Sequence, residues 1–138
     1  MEQLNLNNIF DKDEYIKALI MIAKADGKVT DEERDFIESR GKLLDIDTTM
    51  LWSGINHLDD LNKIKSASHL IKMTIIYDCI TLGYIDSEFG KSERIQVYKI
   101  ASYLGLSNSV VDDIENWLKD YKNVLDRGQA LMGYSFVD

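Results

Sequence analysis

Apolar residues recur at three- and four-residue spacing along most of the chain, and proline never interrupts them. That period places them on one face of a helix. Ile16, Leu19, Ile20 and Ala23 predict a first helix over residues 12–25, with Asp11 and Glu14 placed to cap its free backbone amides. Asp26-Gly27 ends it. Thr30 and Glu33 repeat the capping pattern ahead of a second helix that buries Phe36, Ile37, Leu43 and Leu44. A shorter third helix, residues 48–58, carries Met50, Leu51, Ile55 and Leu58. The fourth is long: Leu61, Ile64, Ser68, Ile71, Ile75, Asp78 and Leu82 form one seam, which Gly83 stops. A fifth starts near Asp86 or Ser92 and ends at Leu104. A sixth follows Ser109, with Val111, Ile114, Leu118, Tyr121 and Leu125 on one side. The tail, residues 127–138 with Tyr134 and Phe136, reads as a short last turn or a loose end. No strand-like alternation of useful length occurs. The pattern predicts an all-α, single-domain bundle of about six to seven helices over residues 1–138.

The chain also repeats itself. Glu33 is followed by Leu44-Asp45-Ile46-Asp47 and then Met50-Leu51; Glu93 is followed at the same offsets by Leu104-Gly105-Leu106-Ser107 and Val110-Val111. Upstream, Gly27-Lys28-Val29 pairs with Gly83-Tyr84-Ile85. Aligned this way, the second copy is longer by about one helical turn between glycine and glutamate. Two similar helical hairpin units are expected, residues 14–58 and 70–118, packed about a pseudo-twofold axis. Gly27, Val29 and Thr30 would form the turn of the first unit, and Gly83 and Ile85 that of the second.

The run Ala23-Lys24-Ala25-Asp26-Gly27-Lys28-Val29-Thr30-Asp31-Glu32-Glu33 resembles the TerB-like family, which includes tellurite-resistance proteins and the N-terminal domain of DjlA-type membrane co-chaperones. Asp26, Gly27, Val29 and Glu33 fit the family's first unit. Gly83, Ile85, Glu93 and Leu104-Gly105-Leu106 fit its second, with Leu82 where an aspartate is expected. The resemblance spans residues 14–118. It implies an α-helical module tied to tellurite resistance or stress response, and no enzyme. No His-Pro-Asp tripeptide is present, so no J-domain is expected, nor a preceding membrane anchor.

Charge then narrows the partners. The 138 residues carry 24 acids against 16 bases, a net charge of −8, so the surface repels polyanions. No Lys/Arg cluster suits nucleic acid. No apolar run approaches the roughly 20 residues that span a bilayer, and residues 1–10 lack the pattern of a secretory signal. A cytoplasmic protein with an unidentified protein partner is expected. Cys79, the single cysteine, reads as a core residue.

Acids crowd one stretch. Residues 26–47 hold eight acids and four bases, half the net charge of the chain in 22 positions. Asp26, Asp31, Glu32 and Glu33 are the candidate ligands there for a divalent cation. Set against a calcium loop with Gly27 at its sixth position, Asp26 falls fifth and Glu33 twelfth, while Ile22 and Lys24 occupy the first and third, where oxygens are needed. A calcium- or magnesium-responsive sensor with a degenerate EF-hand-like loop at residues 26–33 is the alternative function. The same residues also read as a helix stop, a core plug at Val29 and a capping box. Asp78, on the apolar seam, calls for a partner such as Lys24 or an exposed helix end. His57 and His69 lack metal-ligand spacing, and no nucleophile elbow or phosphate loop occurs. Trp52 and Trp117 are read as anchors of the bundle, an exposed one marking a partner surface.

Overall fold

The computed structural model describes residues 11–85 and 89–133, and the readings of a leader over residues 1–10 and of Tyr134 and Phe136 lie outside them. Among the described residues the chain is all-helical. It forms α1 (Lys12–Ala23), α2 (Asp31–Leu43), α3 (Thr49–Ser53), α4 (His69–Gly83), α5 (Lys91–Tyr103) and α6 (Asn108–Met132). Two short 3-10 turns, Leu58–Leu61 and Ile64–Ser66, connect α3 to α4. α1 and α4 pack on each other at the centre; α2 lies on α1, and α5 bridges α1, α4 and α6. Both central helices are buried on most sides, with Ile16, Leu19, Ile20, Ile76, Cys79 and Ile80 fully out of water. None of the described helices is long and apolar enough to cross a membrane.

The internal repeat runs at a constant offset of 60 positions. Ala23 and Gly83 end α1 and α4, Asp31 and Lys91 start α2 and α5, and Leu43 and Tyr103 end them. Both second helices close alike. Asp45 (φ 59°) and Gly105 (φ 83°) turn left-handed, and the next amides, Ile46 and Leu106, donate back to the carbonyls of Gly41 and Ala101.

This register corrects the alignment of Gly27 with Gly83 and of Val29 with Ile85. Gly83 is the last residue of α4, and a Cβ there would lie 2.5 Å from Cδ1 of Phe89, so glycine serves close packing and not a turn. Ile85 occupies the place of Ala25: each donates its amide three residues back, to Leu82 and Ile22. Val29 is answered by Phe89 and Thr30 by Gly90, so the loops are equally long and nothing is inserted. In sequence, Asp86 then takes the place of Asp26, and the aspartate missing at Leu82 is accounted for. The unit 14–58 corresponds to 74–118.

The other departures have local causes. The third helix stops at Ser53, because Gly54 turns extended (ψ 166°). Leu61 and Ile64 are buried, but in the 3-10 turns and not in α4, which starts only after Ser68 accepts from the Ile71 amide. Ala67 and Ser68 are extended between the turns and α4 (ψ 164° and 157°), and Glu14 holds the connector. Its Oε1 accepts from the amides of Lys63 and Ile64 at 2.8 and 2.9 Å, pinning the connector to α1. Leu43, Met50 and Ile55, expected in the core, are exposed. The tail is helical through Met132, where left-handed Gly133 caps α6.

Candidate functional site

The acidic turn after α1 is built from backbone caps. Gly27 (φ 85°) reverses the chain, and Asp26 Oδ1 accepts from the Lys28 amide at 3.0 Å. Val29 packs against the core. Thr30 Oγ1 accepts from the Glu33 amide at 3.1 Å, and Glu33 Oε1 accepts from the Thr30 amide at 3.0 Å, a full capping box. Glu33 is buried in that role, as is its counterpart Glu93, which accepts from the Gly90 amide. Asp31 and Glu32 stand in solvent on the first turn of α2, where their charge favours the positive end of the helix. Among the described residues, no three His, Cys, Asp or Glu side chains converge where a metal ion could be held. The geometry therefore favours capping over cation binding in this turn.

Three buried carboxylates do tie distant elements together, two through charged groups and one through backbone amides, at places the sequence pattern did not single out as sites. The first is Asp78. Its partner is not Lys24, whose Nζ donates to the carbonyls of Trp52 and Gly54. Instead Tyr15 Oη donates to Asp78 Oδ2 at 2.6 Å, and Arg40 Nη2 lies 3.7 Å from Oδ1. Arg40 Nε is buried without a hydrogen-bond partner among the described residues, while the guanidinium covers the Phe36 ring. Burial pushes the Asp78 carboxyl above its ordinary range, against the opposing pull of Tyr15 and Arg40. Replacing Tyr15 by phenylalanine is expected to destabilise the fold by about 2 kcal/mol, the worth of a hydrogen bond to a charged acceptor. Urea unfolding at neutral pH measures it.

The second is Glu115 on α6. Arg94 holds both its oxygens, Nη2 reaching Oε2 at 2.8 Å, the Tyr84 hydroxyl donates to Oε2, and Lys119 approaches at 3.5 Å. Arg94 first, with help from Tyr84, holds the carboxyl down at about 2, while burial first, and then the contact with Glu115, pushes the Tyr84 hydroxyl up to about 12. The third is Glu14, described above. Arg34 and Arg94 are equivalent positions, and Arg34 lies over the Trp52 ring while Arg94 lies over Phe89.

Comparison with protein-family models, with curated proteins and with solved structures gives no match. The two halves of the chain keep equivalent ties with reversed polarity: Trp52 Nε1 and Thr48 Oγ1 donate to Glu38 in the first, whereas Tyr98 donates to Asp112 in the second. Such ties fasten α3 to α2 and α6 to α5. They hold the bundle together. His57 and His69 sit at the starts of a 3-10 turn and of α4, both exposed. A small groove of about 260 Å³ lies where the chain leaves α3, lined by Met21, Lys24, Ile55 and Gln96 among others. Its one charged group, Lys24, is already spent on two carbonyls.

Proposed function

We propose that the protein is a non-enzymatic, acidic helical module of the TerB-like, stress-associated kind, which docks a basic protein partner on the outer side of α2 and its following loop. The carrying observation is the charge that segment leaves in solvent: Asp31, Glu32, Asp35, Asp45 and Asp47 against Arg34 and Lys42, together with the apolar Leu43 and Met50. Exposed apolar side chains among carboxylates suit a transient interface. Apolar contact supplies affinity, and the charges select the sign of the partner and speed encounter. In this reading the protein acts in the cytoplasm, and neither nucleic acid nor a membrane is its partner. The duplicated helical unit and the residues 23–33 support the family resemblance on which the stress association rests.

A triple variant, D31N/E32Q/D35N, tests the reading. These side chains are exposed, so only a few tenths of a kcal/mol each are lost from the helix end. In capture from cell lysate, wild-type protein is expected to retain at least one protein at low salt and release it as salt is raised. The variant is expected to retain none of it. Identical retained sets for both would refute docking through this face.

A further inference from the structure

α6 outruns the bundle that holds it. Its last buried residue is Glu115, and residues 116–132 continue for about 25 Å at helical rise. A helix this short is marginal alone in water, and Gly128 in its middle weakens it by about 1 kcal/mol. Yet its apolar side chains keep a regular seam. Ile114, Trp117, Tyr121, Val124, Gly128 and Leu131 alternate at three and four, the spacing of a coiled coil. Most of that seam is bare: Trp117 is 41% exposed, Tyr121 50%, Val124 62% and Leu131 84%. Trp117 leans on Tyr77 of α4 and stacks on Tyr121, the ring centres 5.8 Å apart in both contacts, so the near end of the seam is held in place.

We propose that α6 is a dimerisation element, pairing antiparallel with α6 of a second copy through residues 117–128. This surface is separate from the acidic face of α2. Two complementarities on the same helix point to a second copy. Laid antiparallel with Tyr121 opposite Val124, the seam sets Trp117 opposite Gly128, the largest side chain against none, and symmetry makes each match twice. In that register the residues flanking the seam, Asp120 and Arg127, face each other across the pair, again twice. Aligned parallel, the seam would set Trp117 against Trp117 and Gly128 against Gly128, a clash and a void. Charge favours the same place. Residues 116–132 carry Lys119, Lys122 and Arg127 against Asp120 and Asp126, a net +1 on a chain of −8. Two copies that otherwise repel meet there with least opposition.

Sedimentation equilibrium of the full chain is expected to give twice the 15.9 kDa of one copy. V124E, a change at an exposed position, is expected to leave helix content and melting of the single chain intact and to abolish pairing. D120R alone and R127D alone each place like charges across the pair and are expected to raise the dimer Kd about tenfold. Mixed in equal amounts, the two variants restore both opposite-charge contacts and are expected to form a heterodimer of wild-type strength. A wild-type chain that stays monomeric at its highest soluble concentration overturns the proposal, since the seam is then covered by something other than a second copy. So does a dimer indifferent to V124E, or a D120R and R127D mixture no tighter than its components.

Discussion

Replacing Arg94 by alanine is expected to cost the fold about 3 kcal/mol in urea unfolding at neutral pH, because it strands a buried carboxylate. Glu115 is nearly out of water, and Arg94 holds both its oxygens. The Tyr84 hydroxyl and Lys119 remain after the substitution, and they keep the loss from being larger. The contact also has a pH signature. The folded carboxyl is held at about 2, below its ordinary 4.5. Its contribution is therefore fully present above the ordinary value and disappears as pH falls from there toward 2. Unfolding free energies measured from neutral pH down to about 2.5 are expected to fall less steeply for Glu115→Gln than for the wild type. Asp78 works in the opposite direction. Its folded carboxyl is raised by burial, so its contribution weakens as pH rises through the ordinary carboxylate range. Asp78→Asn is expected to remove that opposing slope.

Removing the Glu14 carboxylate is expected to be as damaging, though no ion pair is involved. One oxygen satisfies two backbone amides, Lys63 and Ile64, at the edge of the core. In Glu14→Ala both donors lose their acceptor, which costs about 3 kcal/mol at the usual penalty for unsatisfied buried groups. For a domain of this size that corresponds to a fall of roughly 10 °C in Tm. Glu14→Gln keeps a carbonyl oxygen and is expected to lose less than half as much. Equal losses for the two variants would mean that the carboxylate acts by charge and not as a backbone acceptor.

The helices were legible wherever local signals and burial agreed. Thr30 and Glu33 form the box their spacing announces, and Asp11 caps α1 through the Glu14 amide. Local signals failed where a distant residue decides. Leu61 and Ile64 have the spacing to belong to α4, but the backbone turns extended at Ala67 and Ser68 (ψ 164° and 157°), and Glu14, fifty residues away, holds the connector through the Lys63 and Ile64 amides. Matching glycine to glycine misplaced the repeat by four positions, because Gly83 answers to the Phe89 ring and not to a turn. Asp78 stood out on an apolar seam, but its partners Tyr15 and Arg40 come from two other helices and have no sequence spacing to betray them. Nothing in the sequence sets Glu115 apart from the neighbouring acids of α6. Its burial depends on Arg94 and Tyr84 meeting at the end of α4, which only packing brings about. In the acidic turn, capping and cation binding call for the same residue types, and the two roles differ only in where each oxygen points.

Asp26 and Glu33 accept from backbone amides, whereas the exposed carboxylates of α2 are proposed to serve a partner. Backbone amide NMR of the full chain, titrated first with calcium and magnesium and then with a lysine-rich amphipathic peptide, tests both halves together. The account predicts no saturable ion-induced shifts between Asp26 and Glu33, and peptide-induced shifts gathered on Asp31, Glu32, Asp35 and the loop through Asp47. Saturable shifts centred on Asp26, Gly27 and Glu33 with either ion, and none with the peptide, would contradict it.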